Sequence, residues 1–321
     1  MFHGGKGSQG DWMIAQETRR QVSCAGGRGR WQHWAGTTPA PSPAWLLAAA
    51  FALPSIAQTG EPRIERGLVV CRVDGQAIEA DWVWPVEGAP RGRVVLYVHG
   101  GGWSAGSRRD YEPLARALAA QGHAGLLVDY RLAPAVRHPQ AVQDLNCALR
   151  WLRQVAAVRG IDPERVAIIG GSAGAHLAGW VAYGRDDPAL DGPGQPQGRR
   201  ARVTLAILHA GPHDLTVFDR LGPEQQGPVR ALLGTATPSA AQLAQASTVS
   251  RVAPGAPDTL ILHGAQDALV PPDQALRLAA ALARAGVPHK VVMIPGAGHA
   301  DFGPDPAAIG RELLTALSSG P

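Results

Sequence analysis

The stretch RVAIIGGSAGAHLAGW, Arg165 to Trp180, decides how this chain is read. Val166 to Ile169 is a short apolar run of the kind that forms a buried strand. From Ala173 onward the spacing changes, and Leu177, Trp180 and Val181 fall at helical intervals. Ser172 sits on the turn between the two patterns, with glycines at 170 and 174. A tight strand-to-helix turn strains the backbone, and those glycines remove side chains that would collide. The hydroxyl is then held clear of the sheet, as in the G-x-S-x-G nucleophile elbow. Taken alone, the pattern also describes a glycine-rich turn that merely carries a serine, so the neighbouring elements have to choose.

On both sides the chain alternates strand and helix patterns. GLVVCRV and AIEADWVW read as two early strands joined at Asp74-Gly75, a dipeptide suited to a hairpin. RVVLYVHG is a buried strand ending at His99, followed by a helix over Tyr111–Ala120 and the strand AGLLVDY. A long amphipathic helix over His138–Val158 places Val142, Leu145, Leu149, Leu152 and Val155 on one face. Beyond Ser172 come the strands VTLAILHAG, DTLILHG and HKVVMIP, with helices over Pro271–Ala285 and Pro304–Leu317. This alternation predicts an α/β fold with a mostly parallel sheet of about eight strands and helices on both faces. DDPALDGPGQPQGRR reads as a surface loop. Residues 211–254 show short helical pieces and no strand, and are expected to cross the mouth of the sheet as a small lid.

Active residues of such a sheet gather at the carboxyl ends of its strands. HGGGW, His99 to Trp103, can turn its backbone N–H groups into a site, where they would bind an oxygen that becomes negative during acyl transfer. A phosphate loop would need G-K-[ST] here, and it is absent. Asp267 follows a strand in LHGAQDALVPP, and His299 follows the last strand in IPGAGHADF. Ser172, Asp267, His299 is the order a triad takes on this architecture. A serine needs a base to take its proton at neutral pH, and the acid holds the imidazole tautomer. Other histidines compete for the base. His99 precedes the glycines and is expected to hold their turn, and His176 lies one turn into the serine helix as a packed residue. His263 precedes the acid by only four positions, and His209 and His213 flank the entry to the lid. Among the acids Asp129 and Asp144 read as structural, which leaves Asp214 as the rival to Asp267.

HGGGW, DYRLAP, GGSAGAHLA, HGAQDALVPP and GAGHADF together resemble the α/β-hydrolase esterases of the BD-FAE (bifunctional-enzyme feruloyl esterase domain) and hormone-sensitive-lipase type, over about residues 67–318. The resemblance implies the α/β-hydrolase fold, a catalytic Ser172, Asp267 and His299, and oxyanion donors at Gly101, Gly102 and Ala173. Gly171 stands where the hormone-sensitive-lipase branch often has aspartate. The stretch 58–98 is also too short for that branch's N-terminal helical cap, which favours the BD-FAE type. The implied activity is a serine carboxylesterase acting on short-acyl or aryl esters through an acyl-enzyme. A kynurenine-formamidase-like arylformamidase and an acetyl-xylan or feruloyl esterase are the alternatives. From a different class comes a non-catalytic hydrolase-fold binding protein, which would usually lack a triad member. No metal or other cofactor is implied, the expected partner is a small-molecule ester, and the sequence fixes no oligomeric state.

The chain has 321 residues and a formal charge of +4. Residues 1–57 hold five Lys/Arg against two Asp/Glu, leaving +1 for the rest, so nucleic acid is not an expected partner. Residues 1–43 are rich in Gly, Arg, Trp, Gln and Pro without periodicity and read as disordered. Ala44 to Leu53 is apolar but falls far short of the ~20 residues that span a bilayer. Pro54 and the small-x-small Ser55-Ile56-Ala57 follow it. This predicts a secretory signal peptide cleaved after Ala57, a catalytic domain over 58–321, and a periplasmic or secreted protein without stable membrane insertion. Cys24, Cys71 and Cys147 form no C-x-x-C pair and no zinc spacing. Cys147, on an apolar helix face, is expected to be an inert buried thiol, and no disulfide framework is indicated.

Overall fold

Asp74 (φ 51°) and Gly75 (φ 79°) are both left-handed, the pairing a two-residue primed turn requires. They join β1 (Ile64–Val73) to β2 (Gln76–Val83) in an antiparallel hairpin with Val73 opposite Gln76. This computed structural model describes residues 60–319, apart from 87–89, 91, 185–186, 193–197 and 300. The leader and signal peptide expected over 1–57 lie outside the described residues.

Six further strands complete the sheet: β3 (Val94–Val98), β4 (Ala124–Val128), β5 (Val166–Gly171), β6 (Val203–His209), β7 (Asp258–Gly264) and β8 (His289–Ile294). Their spatial order is β1-β2-β4-β3-β5-β6-β7-β8. β2 pairs antiparallel with both β1 and β4, and all other neighbours are parallel. Every residue of β3 and of β4 is buried, as expected for strands covered on two faces. Successive side chains point to opposite faces. Val94, Leu96 and Val98 therefore enter one core with helices α2 (Gln140–Arg159), α3 (Ala173–Tyr183) and α6 (Asp273–Arg284). Val95 and Tyr97 enter the other, with α1 (Glu112–Ala119) and α7 (Pro306–Ser318). After β3 the chain moves to one side of the sheet, and after β5 it moves to the other. The crevice between the carboxyl ends of β3 and β5 is thus the topological switch point, where open α/β sheets bind ligands.

Residues 211–254 contain no strand, as expected. They form a 3-10 turn (Leu215–Arg220), α4 (Pro223–Leu233), α5 (Ala240–Ala246) and a second 3-10 turn (Thr248–Arg251). The expectation for cysteine is overturned. Cys147 on α2 is joined by a disulfide to Cys71 on β1, with Cα atoms 6.2 Å apart. The helical period had turned Cys147 inward, and β1 packs against the inward face of α2. The partners lie 76 positions apart, so only the fold could pair them. Among the described residues no helix is long and apolar enough to cross a membrane.

Candidate active site

Ser172 stands between β5 and α3 with φ 55° and ψ −124°, a conformation that costs a non-glycine residue about 1–3 kcal/mol. Its surroundings hold it there. The Ser172 N–H donates to the His209 carbonyl at 2.8 Å, and its own carbonyl accepts from the N–H groups of Ala175 and His176. The elbow can form because its glycines meet backbone closely. A methyl group on Gly170 would lie 2.3 Å from the Gly174 carbonyl oxygen, and one on Gly174 would lie 2.2 Å from that of Val98.

The structure brings the Ser172 hydroxyl to His299 and His299 to Asp267. Ser172 Oγ is 3.0 Å from His299 Nε2, and His299 Nδ1 is 2.8 Å from Asp267 Oδ2. A carboxylate accepts only, so Nδ1 carries the ring proton and Nε2 presents a lone pair to the serine hydroxyl. Asp267 lies on the turn after β7, and its Oδ1 accepts from the N–H groups of Leu269 and Val270 at 2.9 and 2.8 Å. Burial opposes ionisation of this carboxyl. Hydrogen bonds from His263 and His299, with the charge of His299, outweigh that and hold it well below the usual carboxylate range. Backbone bonds from Ala265 to Ile294 and from Gln266 to Ala297 tie the acid's turn to the loop that carries His299.

Gly101 (φ 100°) and Gly102 (φ 58°) both occupy left-handed backbone that a side chain would strain. Their N–H groups, and that of Ala173 at the start of α3, donate to no partner among the described residues. Unpaired N–H groups at a helix start and a left-handed turn are what an anionic oxygen can use. The turn is braced from outside. His99 Nδ1 donates to the Gly100 carbonyl at 2.9 Å while its ring stacks on Tyr130 at 4.2 Å. The Tyr130 hydroxyl donates to the His99 carbonyl, and Ala133 N–H to that of Trp103. This assigns DYRLAP a task that sequence reading did not, because Tyr130 meets the glycine turn across two neighbouring strands.

The remaining candidates fall elsewhere. Asp214 caps Thr216 and pairs with Arg277 at 3.0 Å, not with His299. Asp144 pairs with Arg131, and Asp129 with Arg108. His176 accepts the Trp103 indole N–H on Nδ1 and donates from Nε2 to the Ala246 carbonyl at 2.8 Å. Burial depresses it to about 4. His209 stacks on Phe302, and burial, reinforced by the charge of His299, depresses it to about 3. His213 is buried against Thr248. Among the described residues no group of three or more His, Cys, Asp or Glu side chains is arranged to hold a metal ion.

A family model described as BD-FAE matches residues 81–282. Esterase LipC of Mycobacterium tuberculosis is 32% identical over 74% of this chain and 57% of its own length. Esterase LipU of the same organism is 30% identical over 71% of this chain and 75% of its own. The chain spans about half the length of several curated relatives it matches. Among solved structures, a thermophilic esterase from the Planctomycetes species Thermogutta terrifontis is 27% identical, with a TM-score of 0.65 over 82% of this chain and 92% of that one. Its butyrate-bound form is similar to this chain with a TM-score of 0.66 over 81% and 96%. These likenesses carry the α/β-hydrolase fold.

Proposed function

The chain belongs to the BD-FAE family, and on that premise we propose that it is a serine carboxylesterase for short-acyl or aryl esters. The observation that carries the reading is the unbroken hydrogen-bonded chain from Ser172 through His299 to Asp267 at a strained elbow. His299 Nε2 takes the hydroxyl proton as Oγ attacks the ester carbonyl carbon. The carbonyl oxygen becomes negative and is met by the N–H groups of Gly101, Gly102 and Ala173. Asp267 stabilises the imidazolium. Collapse expels the alcohol, which takes its proton from His299 Nε2, and leaves an acyl group on Ser172. Water then repeats the sequence, giving the carboxylic acid and free serine.

Short acyl groups are favoured because, among the described residues, 211–254 is the segment read as a cover for the site, and it is short. Each methylene left in water forgoes ~0.8 kcal/mol, about fourfold in specificity. One relative, the Thermogutta terrifontis esterase, solved with propionate and with butyrate bound, is in keeping with this. The test is a panel of p-nitrophenyl esters from acetyl to decanoyl, with N-formylkynurenine beside them. We expect kcat/KM to peak between acetyl and butyryl, and Ser172→Ala to abolish both turnover and fluorophosphonate labelling in a folded protein. Turnover that survives Ser172→Ala, or a best substrate at decanoyl, overturns the proposal, and N-formylkynurenine as the best substrate replaces the ester with a formamide.

We further propose export with cleavage after Ala57. The Cys71–Cys147 disulfide supports it, since such bonds persist in oxidising compartments. N-terminal sequencing of the native protein should begin at Gln58, and an intact leader in a cytoplasmic fraction is the contrary result.

A further inference from the structure

His263 is the penultimate residue of β7, is fully buried, and takes no part in the proton transfer between Ser172 and His299. Its Nε2 lies 2.8 Å from the Val270 carbonyl and 3.3 Å from Asp267 Oδ2. Both neighbours accept only, so Nε2 carries the proton. In the neutral ring Nδ1 is then bare, and it is buried with no hydrogen-bond partner among the described residues. A bare lone pair there costs less than an unsatisfied N–H would, which selects the same tautomer. Val270 closes the arrangement: its N–H donates to Asp267 Oδ1 while its carbonyl accepts from His263.

Three N–H groups donate to the carboxylate, those of Leu269 and Val270 on Oδ1 and that of His299 on Oδ2, and the single proton of His263 Nε2, directed to the Val270 carbonyl, offers Oδ2 a longer second branch at 3.3 Å. A carboxylate offers about four lone-pair sites. We propose that His263 is a positioning residue for the esterase reaction, a second imidazole donor that shares Oδ2 with His299 and sets how strongly Asp267 supports the imidazolium. The inference rests on the serine-esterase reading given above. The physical argument is one of competition. An N–H turned toward Oδ2 draws on negative charge that would otherwise act on His299 alone. Without that donor the carboxylate becomes more basic and stabilises protonated His299 more, so His299 holds its proton to higher pH. The other titratable groups whose electrostatics include His263 are His209 and His213, both kept neutral by burial, so no competing charge faces the ring from that side.

The test compares the full-length wild type with His263→Phe and His263→Gln, reading the pH dependence of kcat/KM for p-nitrophenyl acetate. His263→Phe keeps the bulk and removes the donor, while His263→Gln restores an N–H near the position of Nε2. For His263→Phe we expect kcat to fall about tenfold, because Asp267 loses a contact that fixes its carboxylate against His299, and a more basic carboxylate does not offset misplacement. KM should stay near the wild-type value. The acid limb of the profile should move up by about half a pH unit or more. His263→Gln should return the limb toward wild type. A ring that only fills space would leave the limb in place in every folded variant, and an unmoved limb in an active His263→Phe enzyme overturns this proposal alone. Should His263→Phe fail to fold, His263→Gln decides, because a wild-type limb supports a donor role and a limb displaced upward overturns it. A wild type with neither ester turnover nor labelling at Ser172 overturns the esterase reading and this proposal together.

Discussion

Replacing Gly174 by alanine sets two effects against each other. Gly174 is the second residue of α3, and in a helix interior alanine is favoured over glycine by about 1 kcal/mol. Here the added methyl would sit 2.2 Å from the Val98 carbonyl oxygen and 2.4 Å from that of His99. Both are backbone atoms at the end of β3, so neither can swing aside. Ordinary carbon contacts begin near 3.5 Å, so α3 must retreat from β3 by about 1 Å. Overpacking of this kind costs about 1–3 kcal/mol and outweighs the helix preference. The chemistry should suffer more than the fold. Ser172 lies two residues away and meets His299 at 3.0 Å, and a displacement of about 1 Å can cost a hundredfold in rate. We expect Gly174→Ala to lower the melting temperature by a few degrees, at about 2–4 °C per kcal/mol. It should also lower kcat/KM for p-nitrophenyl acetate about a hundredfold. Gly227→Ala is the control, because a methyl there meets nothing within 4 Å. Pro228 follows it in α4 and disfavours helical backbone at a preceding residue with a Cβ, so the change should bring no gain in stability, and it should leave turnover alone. Wild-type stability and turnover in Gly174→Ala would refute the reasoning.

Asp267→Asn should lower kcat by about 10³–10⁴-fold, the loss seen when a triad aspartate can no longer hold the tautomer. Asp214→Asn should leave kcat unchanged and cost well under about 1 kcal/mol, since asparagine caps Thr216 as well as aspartate does and the Arg277 pair is part-exposed, and the reverse ranking would mean the acid is misassigned. Burial holds His123 and His176 down to about 4 and His209 to about 3. Their folded values lie below the unfolded one, so stability is full above about pH 6.5 and is lost as pH falls toward 4. The slope is up to about 1.4 kcal/mol per pH unit for each ring. Urea midpoints at pH 7, 6 and 5 check this, and equal midpoints contradict it. Reduction of Cys71–Cys147 releases a loop 76 positions long, worth up to about 4.5 kcal/mol in the chain-entropy account. An unchanged urea midpoint in dithiothreitol is the opposing result.

Local patterns in this sequence determined the elements and the order of the site residues. The apolar runs of β3 to β6 announce strands buried on two faces, and Asp74-Gly75 announces the hairpin. Gly170 and Gly174 announce a turn that needs close backbone approach. Each depends on neighbours within a few positions, which a one-dimensional reading can see. The tertiary structure decided what depends on juxtaposition across strands. It set Asp267, and not Asp214, beside His299 because the turn after β7 is stitched to the loop after β8 at Ala265 and Gln266. It set Tyr130 against the glycine turn because β4 lies beside β3. It gave His263 a role through the fold of its own turn, which brings Val270 and Asp267 back onto Nε2. It joined Cys71 to Cys147, where the apolar helix face had argued for an inert buried thiol, because β1 packs against the inward face of α2. Hydrogen bonds and disulfides form over a few ångströms of space, and separation along the chain sets no limit on which residues meet.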